Sequence, residues 1–192
     1  MAMTNAKTVS NFFIEIANKD EYGDGITNLR VNKLLYLAQG HYFARSGQQL
    51  FEDDFEAWKY GPVIPSIYQR YRDYGRNPIS EVDQDYNFEA FTPAELEVLL
   101  DVIRVYGKYS TSALVDFTHC ADSPWAQSYG SSNQTISKES IESYFNTLDE
   151  LETFDDILYA LNLPMHDKRD AEGYVLLPYS DDDCETEHMN AI

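Results

Sequence analysis

Apolar residues return along this chain at spacings that predict most of its elements. Val9, Phe12, Phe13, Ile16 and Ala17 mark one helical face. Thr8 is the predicted N-cap, because its hydroxyl can accept from the free amides of a first turn. Gly23 and Gly25 punctuate a loop over 20–25. A second, stronger helix is predicted from Thr27 or Asn28 to about Ser46, with Gly47 just past its end. Its apolar residues Leu29, Val31, Leu34, Leu35, Leu37, Ala38 and Tyr42 cover much of its circumference, the pattern of a helix at the centre of a bundle.

The helical period fails between Leu50 and Val63, where Leu50, Phe51, Phe55, Ala57 and Trp58 suggest one or two short strands. Tyr60-Gly61-Pro62 is expected to turn the chain, since Pro62 disfavours helical geometry at Gly61. Pro65 starts a third helix that runs to Gly75. Thr92-Pro93-Ala94-Glu95 is a capping box, followed by Leu96, Leu99, Leu100, Ile103 and Tyr106 and closed by Gly107. Ser110 opens another helix, and Ser123-Pro124-Trp125 a short one. Ser137 is a cap between Ile136 and Ile141. Thr147-Leu148-Asp149-Glu150 is a second capping box leading through Leu151, Phe154 and Leu161 to a stop at Pro164. The expectation is a mainly α protein: a compact bundle of six to eight helices with a small β element near residues 50–60. The helical domain is placed at 1–163 and an acidic tail at 164–192. The apolar island Tyr174–Tyr179 is expected to strap back onto the bundle.

Charge changes this picture more than composition does. The net charge is −19, yet acids and bases balance over 1–76, so all of it falls within 77–192. That sign is wrong for neutralising phosphates and disfavours nucleic acid as a direct ligand. It suits either simple solubility or electrostatic steering towards a basic partner. No stretch approaches the about 18 apolar residues of a membrane span. The N-terminus lacks the apolar core of a signal peptide, and a cytoplasmic location is expected. Cys120 and Cys184 stand far apart without metal-like spacing, so neither a zinc site nor a disulfide framework is indicated.

The search for chemistry is short. No phosphate-cradling glycine loop, nucleophile elbow or His-Glu-x-x-His run is present. His119 and Cys120 are adjacent on a helix and point about 100° apart, so they cannot form a nucleophile pair. His119 is expected at a helix end, packed near Trp125. No catalytic residue, metal or cofactor is assigned, and the chain is not expected to be an enzyme. Two lysines remain, each set among rings and aliphatics. Lys33 is expected to snorkel, its stem packed and its ammonium in water. Lys59 is expected to protect a strand edge, with cation–π contact to a neighbouring ring open to either lysine.

The segments Asn32-Lys33-Leu34-Leu35-Tyr36-Leu37-Ala38-Gln39-Gly40 and Phe55-Glu56-Ala57-Trp58-Lys59-Tyr60-Gly61-Pro62-Val63, with His119 and Pro124-Trp125, resemble the Panacea domain. This is the SocA-like family of phage- and prophage-associated antitoxins, and the resemblance covers roughly residues 8–145. It implies a mostly helical domain that neutralises a co-encoded protein toxin by direct binding. Members are paired with unrelated toxins, including ones that modify tRNA or nucleotides, and one resembles a protease adaptor that delivers its toxin for degradation. No catalytic residues or cofactors travel with the family. The partner expected here is a cognate toxin, basic or acting on RNA or nucleotides. Lys33, Tyr36, Trp58, Lys59, Tyr60 and Trp125 are the candidate partner-binding residues, with the rings as anchors inside an acidic rim. The two lysine-bearing segments are expected to form the fixed framework, and the acidic remainder to hold partner choice.

Overall fold

The computed structural model describes residues 4–20 and 25–148. The expected second capping-box helix beyond Glu150, the boundary at 163 and the acidic tail lie outside those residues. Seven helices and one small sheet are described: α1 (Ala6–Lys19), α2 (Asn28–Ser46), β1 (Phe55–Trp58), β2 (Gly61–Val63), α3 (Pro65–Arg70), α4 (Pro93–Tyr106), α5 (Thr111–Thr118), α6 (Pro124–Ser128), β3 (Thr135–Ile136) and α7 (Lys138–Phe145). The architecture is mainly α with a small antiparallel β element.

Local chemistry accounts for most boundaries. Thr27 caps α2 by accepting from the Arg30 amide, and Gly47 ends it in the left-handed region at φ 66°. Thr92 and Glu95 close a full capping box on α4, with Pro93 at the first helical position. Ser110, Ser123 and Ser137 each accept from the amide three residues on, starting α5, α6 and α7. One expected cap moves. Asn5, not Thr8, caps α1, its Oδ1 accepting from both the amide and the hydroxyl of Thr8. The third helix is also shorter than expected: α3 stops at Arg70, and a separate 3-10 turn over Arg72–Tyr74 carries the chain to Gly75.

The bundle is organised around α2, which packs against α1, α3, α4, α5, α7 and β2. Leu34, Leu35, Tyr36, Leu37 and Ala38 are buried there with Phe13, Phe55 and Phe145. Tyr36 meets Phe55 and Phe145 edge-on, at 5.4 and 5.5 Å between ring centres. Gly40 lets α7 approach, because a Cβ at that position would fall 2.3 Å from the Phe145 ring.

The buried face of α2 is not uniformly apolar, and its polar residues have a shared task. Asn28 Nδ2 donates to the Tyr68 carbonyl, and Gln39 Oε1 accepts from the amides of Leu50 and Phe51. His41 Nε2 lies 2.8 Å from the Tyr106 hydroxyl. Leu50 and Phe51 precede β1 and Tyr68 lies in the last turns of α3, all outside the ladder, and a buried backbone group without a partner is costly. Side chains of α2 supply those partners. Arg30 does the same for α4, donating to the carbonyls of Gly107 at 2.7 Å and Tyr109 at 2.6 Å. A cation at this end also complements the helix dipole.

The sheet order is β2-β1-β3, all antiparallel. Trp58 pairs with Gly61, so Lys59 and Tyr60 form the two-residue turn, and Gly61 and Pro62 belong to β2 rather than to the turn. Strand β3 was not foreseen. Two residues, one of them the expected staple residue Ile136, are too few to show a period of two. Cys120 is disulfide-bonded, where no disulfide framework was indicated by the sequence.

Candidate partner-binding site

The two lysine-bearing segments meet. Ala57 turns its amide away from β2, donating to the Gln134 carbonyl at 2.7 Å. Its partner Pro62 therefore faces outward from the sheet, where its missing N–H breaks no ladder bond. The Pro62 carbonyl also points outward, and Lys33 Nζ on α2 donates to it at 2.7 Å. Two residues on, the outward amide of Ile64 donates to Asn32 Oδ1 at 2.9 Å, while Asn32 Nδ2 donates back to the Asn28 carbonyl. Adjacent residues of one helix thus close the free edge of β2.

Lys33 does not snorkel. It is 0% exposed. Burial pushes its pKa down from 10.5 to about 7, and no carboxylate among the described residues pairs with it. Gly61 makes room for it: at φ +97°, a Cβ there would lie 2.9 Å from both Lys33 Cε and Nζ and 2.6 Å from Thr118 Oγ1. Only glycine fits at this contact.

The end of α5 and the short α6 complete the site. Trp125 is nearly buried, and its indole N–H donates to the Trp58 carbonyl at 2.8 Å, fastening α6 to the last residue of β1. The His119 ring lies flat against Trp125, 3.7 Å between centres and 10° between planes. Tyr129 also stacks on Trp125, at 4.6 Å and 20°. Burial, with the Lys33 charge as a second cause, lowers the His119 pKa to about 4, so its imidazole is neutral near pH 7. Its Nε2 is buried with no hydrogen-bond partner among the described residues. The sequence placed His119 beside Trp125, and the structure agrees.

The candidate residues divide by accessibility. Lys33 and Tyr36, the latter 1% exposed, are enclosed and hold the framework. Trp58 is half-buried, its indole N–H donating to Glu56 Oε2 and its ring edge-on to Tyr68 at 4.9 Å. Lys59 and Tyr60 are exposed at the hairpin tip, with Lys59 Nζ 5.5 Å from the centre of the Tyr60 ring. Sequence reasoning missed Asn32 and Thr118 as supports, and it missed Tyr129. The adjacency of Asn32 to Lys33 was a readable signal for the first. Nothing in the sequence marked Tyr129.

Among the described residues, no group of three or more His, Cys, Asp or Glu side chains is placed to hold a metal ion. No helix among them is long and apolar enough to cross a membrane. The fold and site define a mainly helical domain in which one helix clamps a short, ring-bearing hairpin. The chain belongs to the SocA-like antitoxin family, Panacea domain, whose family model matches residues 31–126. It is similar to Antitoxin SocA of Caulobacter vibrioides (strain NA1000 / CB15N), with 29% identity over 130 residues, covering 63% of this chain and 68% of the relative. No solved structure matches it. The family span holds Lys33, Trp58, Gly61, Pro62, His119 and Trp125, the residues that build the clamp.

Proposed function

We propose that this protein is an antitoxin that masks a co-encoded protein toxin by direct, stoichiometric binding in the cytoplasm, without chemistry of its own. Membership of the SocA-like antitoxin family is the observation that carries this reading. The hairpin end supports it: Lys59 and Tyr60 are held out on a two-residue turn, next to half-buried Trp58, that α2 and α6 fasten from behind, which lowers the ordering cost of binding. The excess of acid over 77–192 favours a basic toxin, including one that itself grips RNA or nucleotides. Partner choice then rests with that acidic part, and the clamp serves as framework.

Co-expression with the product of the neighbouring reading frame tests the reading. Growth rescue, co-purification at one-to-one ratio and an unchanged toxin lifetime are expected. A toxin that disappears faster when this protein is present would replace masking by delivery to a protease. Rescue at far less than stoichiometric amounts would point to an enzyme.

A further inference from the structure

Among the described residues the large exposed apolar side chains are Tyr60, Phe88, Leu100 and Tyr129. Tyr129 differs from the other three in standing on a built support. Its ring rests on Trp125, Trp125 rests on His119, and the Trp125 N–H is bonded to the backbone of the hairpin. The result is a column of three near-parallel rings, half-buried at His119, buried at Trp125 and 46% exposed at its outer end, Tyr129.

The electrostatics of this column favour a cation. His119 stays neutral near pH 7 and adds no charge of its own to the stack, although Lys33 lies close enough to help lower its pKa. Between Lys108 and Lys138 there is no lysine or arginine, while Asp116 and Asp122 lie on the segment that forms the stack. A guanidinium combines the positive charge this region attracts with a flat face that matches a flat ring. An ammonium has the charge but not the face.

Resting on the masking reading, we propose that the outer face of Tyr129 is the docking platform for an arginine side chain of the toxin. The arginine stacks on Tyr129 and extends the column by one layer. Tyr129 is exposed at the end of a short helix, so its replacement spares the core.

The test uses the full chain and the product of the neighbouring reading frame as the probe. Dissociation constants are measured for wild type, Tyr129→Phe and Tyr129→Leu, with thermal melts confirming equal folding. Phenylalanine keeps the ring face and is expected to bind within about twofold of wild type; leucine keeps the bulk and is expected to bind about tenfold more weakly. Wild-type binding should weaken more in arginine hydrochloride than in lysine hydrochloride at equal concentration. Should Tyr129→Leu melt early, the comparison of the two salts on wild type alone decides the matter. Equal binding by the leucine variant, or equal competition by the two salts, overturns the arginine platform and leaves masking intact. No binding or rescue by wild type overturns masking itself.

Discussion

Lys33 Nζ and the Pro62 carbonyl oxygen stand 2.7 Å apart, and that one bond joins the two segments that dominate the sequence. The donor is wholly buried, with no carboxylate paired to it among the described residues. Its pKa near 7 leaves it mostly neutral at mildly alkaline pH, where it serves as an amine donor to a strand edge.

Folding stability should therefore depend on pH through Lys33. The folded pKa of about 7 lies below the unfolded value of 10.5. Between the two, the unfolded chain binds a proton that the folded chain does not, so stability rises with pH, by up to about 1.4 kcal/mol per unit. Denaturant titrations at pH 7, 8 and 9 should show this rise in wild type and a flatter profile in Lys33→Met. That variant should also be less stable at pH 9 by about 1–3 kcal/mol, because the Pro62 carbonyl loses its donor. Parallel profiles would show that Lys33 keeps its charge on folding.

Gly61→Ala should destabilise the fold by about 1–3 kcal/mol, since both the positive φ and the contact with Lys33 and Thr118 oppose a Cβ. Thermal melting measures it. Gly75→Ala is a useful contrast, because φ there is +59° but nothing lies within 4 Å of the added atom, so only the backbone cost applies.

Gly40→Ala reverses the usual expectation for a helix. In open surroundings alanine gains about 1 kcal/mol over glycine. Here the new methyl would drive into the Phe145 ring, so a net loss of stability is expected. Combining it with Phe145→Leu should recover part of that loss. Strictly additive effects in the double variant would argue against the contact.

Asp83 fastens the long connection between α3 and α4. Its carboxylate accepts from Asn11 Nδ2 at 2.8 Å and pairs with Lys7 at 3.0 Å and with Arg70, and its amide donates to Asn11 Oδ1. Desolvation pulls its pKa upward, but the bonds from Asn11 and Lys7 and the charges of Arg70 and Lys7 outweigh it and leave the pKa below 3.8. Its contribution is complete above the unfolded value and is lost as pH falls through the folded one. Asp83→Asn should speed proteolysis within 76–92 at neutral pH and make that segment less sensitive to acid. Unchanged cleavage would show that the connection is held by other contacts.

The legible parts of this chain were those where one residue's chemistry decides its neighbours. Thr92 and Glu95 form the box their spacing announced, and Ser110, Ser123 and Ser137 cap the helices assigned to them. The centrality of α2 was readable from the breadth of its apolar face. Its polar bonds to other elements were not, because they reach across 11 to 79 residues of chain and local patterning carries no trace of such distances. Lys33 shows the limit best. An isolated lysine on an apolar helix ordinarily keeps its ammonium in water, and only the outward-facing Pro62 carbonyl explains why this one does not. Tyr129 was invisible for a related reason: its support is Trp125, itself held by a backbone atom of residue 58.

The closed edge of β2 also bears on what this protein avoids. An open strand edge is a template on which identical chains can pair and grow into aggregates. A long or apolar edge invites that most. Asn32 and Lys33 occupy the outward amide and carbonyl of β2, and Pro62 offers no amide at all. Only two-residue β3 remains as the other edge of the sheet among the described residues. Closing that edge removes one template on which copies of the chain could pair strand to strand.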